Sequence, residues 1–315
     1  MPLDRNSKII IPGAAGLVGQ NLIILLKEHG YRNIVAIDQH EHNTRILREL
    51  HPDIEVILSD VSQPGEWLDA FAGGDVLIML QAQITSKTSD PFVRNNITST
   101  EVILEGAKKH QIPYIVHVSS SVVISVADDD YTRTKKAQEK LVVESRIRHC
   151  VLRPTIMFGW FDRKHFGWLS RFMKYTPVFP IPGDGKFMRQ PLYVRDFCRA
   201  IIACMERQPD GAVYNITGKE RIDYIDIIKT IKRIKKLRTP IVHIPFGFFA
   251  FLLRFYAVFS KKPPFTVDQL KALAAGDEFP DDPWWEELDV KPTPFEEAMR
   301  ETFLDPTYSK YILKR

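Results

Sequence analysis

Cysteine is scarce in this chain: three residues among 315, Cys150, Cys198 and Cys204, an odd number without metal-ligand spacing. That argues against a disulfide framework and against a metal site, and predicts buried thiols in a reducing compartment. Long uncharged apolar runs are missing as well. No stretch reaches the ~18 residues that a membrane span needs. The segment before the first strand has no apolar core of a signal peptide, so a cytoplasmic location is expected. An excess of one charge is also lacking, since 43 Lys and Arg against 39 Asp and Glu leave a net +4. A nucleic-acid partner is therefore not expected. Neither a fixed-period repeat nor a Gly/Ser-rich linker divides the chain.

What is present is a rhythm. Lys8 to Pro12, Asn33 to Ile37, Glu55 to Leu58, Val76 to Leu80, Tyr114 to Val118 and Cys150 to Pro154 are short apolar runs. Between them lie stretches with apolar residues at helical spacing, notably Leu17 to Glu28 and Thr98 to His110. Short apolar runs alternating with amphipathic helices predict βαβ units: an α/β fold, a doubly wound parallel sheet with helices on both faces. Beyond residue 155 prolines and aromatics rise, with Trp160, Phe161, Phe166 and Trp168 among them. This divides the chain into a nucleotide-binding domain over 1–155, to which later strands return, and a smaller mixed α/β substrate lobe over 156–315. Within that lobe, Lys229 to Arg238 reads as the solvated side of a helix whose other side holds Ile227, Ile228, Ile231 and Ile234. Phe246 to Phe259 is a strongly apolar helix, interrupted by Arg254 and followed by Lys261 and Lys262. Lacking a clean charged face, it is expected to be buried or dimer-facing; peripheral membrane contact is the alternative.

Gly13-Ala14-Ala15-Gly16-Leu17-Val18-Gly19 is a GxxGxxG turn between the first strand and the first helix. Its glycines suit a tight turn, close approach of backbone N–H groups to a pyrophosphate, and close helix–sheet packing. The helix N-terminus adds partial positive charge. This is the Rossmann arrangement. Asp38 ends the second strand, where a carboxylate can accept from both ribose hydroxyls and repel a 2′-phosphate, which favours NAD over NADP. A surface aspartate would look the same without the glycines upstream.

Tyr131-Thr132-Arg133-Thr134-Lys135 places a phenol and an ammonium four apart, on one helical face. An ammonium beside a phenol is expected to lower its pKa, so that the phenol can exchange a proton with an alcohol or ketone. The spacing is common by chance. It gains meaning after a strand that ends in Ser119-Ser120-Ser121, in a chain that already carries the glycine turn.

These motifs resemble, over nearly the whole chain, the extended short-chain dehydrogenase/reductase family, the NAD-dependent epimerases and dehydratases with their nucleotide-sugar epimerases and 4-keto reductases. Asn96-Ile97-Thr98-Ser99-Thr100 is similar to the family's Asn-Val-x-Gly-Thr. Asp60-Val61 is similar to its adenine-contacting pair, and Leu80-Gln81-Ala82 to the turn that passes the cofactor. Counting back from Ile124-Ser125-Val126, at the family's Val-Tyr-Gly, implies Ser121 as the catalytic serine, with Ser120 the alternative. Pro154-Thr155-Ile156 falls in the segment beside the nicotinamide. Gly183-Asp184-Gly185, then Arg189-Gln190 and on to Asp196, matches the substrate-lobe block, whose arginine faces a nucleotide diphosphate. The resemblance thus implies Ser121, Tyr131 and Lys135 as catalytic. It implies Gly13, Gly16, Leu17, Val18, Gly19, Asp38, Asp60, Val61, Leu80, Gln81, Ala82, Asn96, Ser119, Tyr131, Lys135, Pro154, Thr155 and Ile156 around the cofactor, and Ser121, Arg189 and Gln190 on the substrate. A homodimer is the expected assembly.

The departures carry information. Val122-Val123 stands where dehydratases carry an acidic pair, so a leaving hydroxyl could not be protonated there. Only ten positions separate Ser121 from Tyr131, fewer than sugar epimerases usually have. Pro264 to Leu270 and Lys291 to Pro294 resemble atypical members, among them accessory subunits that bind a nicotinamide cofactor without turnover. The leading reading is oxidoreduction at a carbinol or keto carbon of a nucleotide-activated sugar, by an epimerase or a 4-keto reductase. A dehydrogenase of a lipid-like or sterol-like alcohol is the second. A non-catalytic NAD(P)-binding accessory subunit is the third, and the intact Ser/Tyr/Lys set speaks against it.

Overall fold

The computed structural model describes residues 3–126, 128–259 and 282–314. Strands β1 (Ile9–Pro12), β2 (Ile34–Asp38), β3 (Glu55–Leu58), β4 (Val76–Met79), β5 (Ile115–Val118) and β6 (His149–Pro154) coincide with the six apolar runs. Next come β7 (Met157–Phe158), β8 (Phe179–Pro182), β9 (Met188–Arg189), β10 (Leu192–Tyr193), β11 (Val213–Ile216), β12 (Ile222–Asp223) and β13 (Ile241–Ile244). The central sheet has seven strands in the order β11-β6-β5-β4-β1-β2-β3, all pairs parallel. β7 with β10 and β8 with β13 form parallel pairs, and β9 with β12 an antiparallel one.

A parallel sheet must be covered on both faces, and the strand sequences meet that demand. Ile9 and Ile11 point into one apolar cluster, while Ile10 points into the other with Leu77, Phe71 and Ile103. All three isoleucines are fully buried, and each such burial stabilises by about 2 kcal/mol.

The helices are α1 (Leu17–Glu28), α2 (Glu41–Leu50), the short α3 (Asp90–Phe92) running into a π-helical turn over Val93–Thr98, α4 (Ser99–Lys109), α5 (Asp130–Glu144), α6 (Phe166–Tyr175), α7 (Val194–Arg207), α8 (Tyr224–Ile234) and α9 (Phe246–Phe259). Two further helices span Trp284–Glu287 and Phe295–Leu304. α8 buries Ile225, Ile227, Ile228, Ile231 and Ile234 and turns its lysines outward, as its spacing predicts. α9 forms where predicted, and of the readings given for it burial within its own chain does not hold: Phe246, Phe248, Phe251, Leu252 and Phe255 are exposed.

The two halves interlock. Arg195 of α7 pairs with Glu28 at the end of α1 and with Glu301 of the Phe295–Leu304 helix, and its guanidinium lies 4.7 Å from the Trp160 ring centre. Asp196 accepts from the backbone N and Oγ1 of Thr293, both at 2.8 Å, which fixes the Lys291–Pro294 segment. The Pro264–Leu270 segment lies outside the described residues. Cys150, Cys198 and Cys204 are buried thiols. No helix among the described residues is long and apolar enough to cross a membrane, and no cluster of three or more His, Cys, Asp or Glu could hold a metal.

Candidate active site

A cavity of about 610 Å³ opens at the carboxyl ends of the central strands. That is where open α/β sheets bind ligands, because the strand order reverses there and the loops part. The glycine turn forms one wall. Gly13 has φ +83°, and a Cβ on it would lie 2.5 Å from Gln81 N. A Cβ on Gly19 would lie 2.2 Å from Ala14 O. Both positions therefore exclude any side chain, and α1 begins directly behind the turn. Asp38 closes this end. Its carboxylate accepts from Ala15 N at 3.0 Å and from His40 N at 2.9 Å, and so holds the turn as well as facing the cavity. Burial pushes its pKa up, and those backbone donors pull it back.

Tyr131 enters from α5. Asp129 caps that helix by accepting from Thr132 N at 2.7 Å, which fixes Tyr131 in the first turn. Tyr131 lines the cavity, near enough to the Ser120 side chain for that hydroxyl to favour ionisation of the phenol. Ser119, Ser120 and Ser121 all line the cavity, but with different attachments. Ser119 donates to Glu139 at 2.6 Å, and Glu139 also pairs with Arg153. Ser120 is the serine whose hydroxyl acts on the Tyr131 phenol, while Ser121 opens the short 3-10 helix Ser121–Ile124 beside it. The alternative left open by residue counting thus has a geometric claim of its own.

Lys135 differs from expectation. Its side chain is buried, donates to Val118 O at 3.0 Å and to Gln138 Oε1, and does not line the cavity. Burial lowers its pKa to about 7, with the nearby Glu139 carboxylate working the other way. The Tyr131 phenol is not lowered by it. Burial raises that pKa, the Ser120 hydroxyl lowers it, and Asp129 raises it further. The expectation that Lys135 depresses the phenol is thereby corrected, because its ammonium is turned toward the end of β5.

Lys135 belongs to a buried polar network. Gln138 donates to Thr100 Oγ1 at 3.0 Å and to Gln81 O at 3.3 Å. Asn96 donates to Thr134 Oγ1 at 3.0 Å, and its Oδ1 accepts from Gln83 N at 2.7 Å. Asn96 is fully buried and sits in the π-helical turn, the kind of irregularity that recurs at functional sites. It supports the Leu80–Ile84 wall from behind rather than lining the cavity itself.

Of the expected cofactor residues, Gly13, Gly16, Leu17, Val18, Gly19, Asp38, Val61, Leu80, Gln81, Ala82, Ser119, Tyr131, Pro154, Thr155 and Ile156 line the cavity. Asp60 does not; its carboxylate is taken by the N and Oγ of Ser62, at 2.9 and 2.7 Å. Arg189 and Gln190 do not line it either. Arg189 lies in β9, paired with Ile222 of β12. Gln190 is buried behind Thr155, whose hydroxyl lies 3.5 Å from its carbonyl.

Two parts of the wall were not anticipated. Phe161 to His165 forms the far side, shaped by Asp162, which accepts from the backbone N of Lys164, His165 and Gly167 at 2.9–3.0 Å. The carboxyl-terminal residues Leu313 and Lys314 close the Asp38 end. Lys314 N donates to Asn43 Oδ1 at 2.8 Å and Lys314 O accepts from Asn43 Nδ2 at 3.1 Å, while Leu313 is buried with Ile24, Ile46, Trp160 and Phe161. The only local signals were the Asp162–His165 run of polar residues among aromatics and the aromatic spacing of Tyr308 and Tyr311.

The family model for the NAD dependent epimerase/dehydratase family matches residues 9–217. The chain belongs to that family. Among curated relatives it is 23% identical over 259 residues to the 4-hydroxy-2-methyl-3-oxo-4-farnesyl-3,4-dihydroquinoline-1-oxide ketoreductase of Stigmatella aurantiaca, covering 76% of each protein. It is 24% identical over 245 residues to a dTDP-glucose 4,6-dehydratase of an Actinoplanes species, covering 67% of this chain and 76% of that protein. Among solved structures, UDP-glucuronic acid 4-epimerase from Bacillus cereus in complex with NAD superposes with a TM-score of 0.71 at 23% identity, over 94% of this chain and 96% of that one. The shared fold is the seven-stranded Rossmann sheet with its flanking helices. The cavity fits the family's NAD in the terms that matter: a side-chain-free glycine turn at a helix start, a carboxylate at the end of β2, and an apolar floor.

Proposed function

We propose that the protein carries out NAD-dependent oxidoreduction at a carbinol or keto carbon of a nucleotide-activated sugar, as an epimerase or a 4-keto reductase. The observation that carries the reading is Tyr131 lining, together with Ser120 and Ser121, the cavity formed by the glycine turn. NAD held there supplies the acceptor or donor of hydride. The chain supplies the proton handling: Tyr131 takes the proton of the alcohol or returns it to the ketone, and Ser120 or Ser121 donates to the same oxygen. Lys135 positions the end of β5 through Val118 O. Val122 lines the cavity where an acid would have to stand for dehydration, which favours the redox reactions over the 4,6-dehydratase branch.

Arg189 is the candidate diphosphate partner, one residue from the Gln190 carbonyl that meets the cavity-lining Thr155. UDP, dTDP, GDP and ADP should be screened for thermal protection, since binding to the folded state stabilises by about 2.7 kcal/mol at 100 times Kd. The expected result is protection by at least one nucleotide that Arg189→Ala weakens, with the ligand-free Tm nearly unchanged.

A second reading, a lipid-like secondary alcohol or ketone, is favoured by the placement of Arg189 and Gln190 off the cavity wall and by its apolar lining of Ile84, Val122, Ile156 and Met157. The farnesylated substrate named for one relative is of that class. If no nucleotide protects while a long-chain ketone supports NADH oxidation that Tyr131→Phe abolishes, the second reading replaces the first.

A further inference from the structure

We propose that the exposed face of α9, together with the lysines near it, docks the protein on the surface of an anionic lipid bilayer. Phe248, Phe251 and Phe255 lie at i, i+3 and i+7 and are 55, 58 and 56% exposed. Neighbouring rings in this row are stacked, with centres 6.3 and 6.4 Å apart. Phe246 and Leu252 extend the row, and Val242 of β13 and Val178 beside β8 are exposed on the neighbouring strand pair. A contiguous apolar surface of this kind marks an interaction site. α9 has 14 residues, about 21 Å of helix, against a hydrocarbon core of about 30 Å. It is long enough to lie in an interface and too short to cross one.

Charge identifies the occupant. Between Asp226 and Asp268 the sequence has no acidic residue but nine Lys or Arg. Lys229, Lys232, Arg233 and Lys236 line a shallow groove with Leu237 and Ile241, at the end of β13 opposite α9. Lys174, at the end of α6, lies near enough to Lys235 to act on it electrostatically. Lys174, Lys232 and Lys236 have no ion pair among the described residues, whereas Lys229 and Arg233 pair with Asp226 and Glu296. An exposed apolar helix, with unneutralised lysines at the far end of the strand that leads into it, complements a hydrocarbon boundary bordered by anionic headgroups. The same segment of a second copy offers these lysines no acidic residue between Asp226 and Asp268, whereas an anionic surface supplies the opposite charge. None of these residues lines the NAD cavity, so docking is separable from chemistry.

The test is co-sedimentation of the full chain with phosphatidylcholine vesicles, with and without phosphatidylglycerol, at low and high salt. The expected result is binding that needs phosphatidylglycerol and weakens with salt. The combined variant Phe248→Ser, Phe251→Ser, Phe255→Ser should lose roughly tenfold or more in partitioning. Lys232→Glu with Lys236→Glu should remove the preference for anionic vesicles. Calorimetric NAD binding should be retained in both, showing that the fold is intact. The proposal falls if the wild type does not bind anionic vesicles at low salt, or if the phenylalanine variant binds as well as the wild type. It also falls if light scattering finds a dimer that the phenylalanine variant splits, which would make the face a protein interface.

Discussion

Tyr131 and Lys135 share one side of α5, but the ammonium spends its hydrogen bonds on Val118 O and Gln138 while the phenol faces Ser120. Tyr131→Phe removes only the phenolic oxygen. It should cost roughly 10²- to 10⁴-fold in kcat while leaving the Kd for NAD nearly unchanged, as single-turnover kinetics and calorimetry will show. Lys135 makes a second prediction. Its folded pKa is about 7, whereas an unfolded lysine titrates near ~10.4. Across that interval the unfolded chain binds the extra proton, so the contribution of this residue to stability rises with pH from about 7 to about 10. Urea unfolding at both ends of the window should show that rise, and Lys135→Met should flatten it. At the other end of the cavity, Asp38→Asn keeps an acceptor for Ala15 N but removes the charge. It should weaken NAD and narrow its advantage over NADP, measured by titrating both cofactors; a variant that still rejects NADP fully would assign the discrimination elsewhere.

At the scale of elements, the glycine turn and the carboxyl-terminal tail grip the same end of the cavity from opposite sides. The turn was legible in the sequence because its requirement is local: Gly13 and Gly19 face backbone atoms at 2.5 and 2.2 Å, and no other residue fits. The tail was not legible. Leu313 is an ordinary apolar residue until the fold brings it against Ile24, Ile46 and Phe161, more than a hundred positions away. Leu313→Ser should loosen the strap over Asn43 and weaken NAD binding by roughly tenfold, or about 1.4 kcal/mol, with a smaller effect on Tm than a core substitution has. Unchanged NAD affinity in that variant would leave the tail a structural role only.

For the whole molecule, the decisive feature is that β11 completes the sheet from beyond β7 to β10 and α7 packs on α1, tied there by Arg195 to Glu28. The first 155 residues therefore lack an edge strand and a helix of their own core. A fragment covering 1–155 should show no cooperative thermal transition, whereas the full chain should unfold in one. A fragment that melts sharply would show the nucleotide-binding half to be an independent unit.

The six apolar strands, the turn that follows the first of them, and a helix carrying Tyr131 and Lys135 on one side were legible in the chain alone, because each rests on short-range rules: periodicity, four-residue spacing, and the absence of a side chain where backbones meet. Tertiary structure decided which serine meets the phenol, where the lysine's ammonium points, that Asn96 and Asp60 stand behind the wall, that Arg189 lies off it, and that α9 stays exposed. Those outcomes depend on side-chain direction and on neighbours distant in the chain, and no local pattern encodes them.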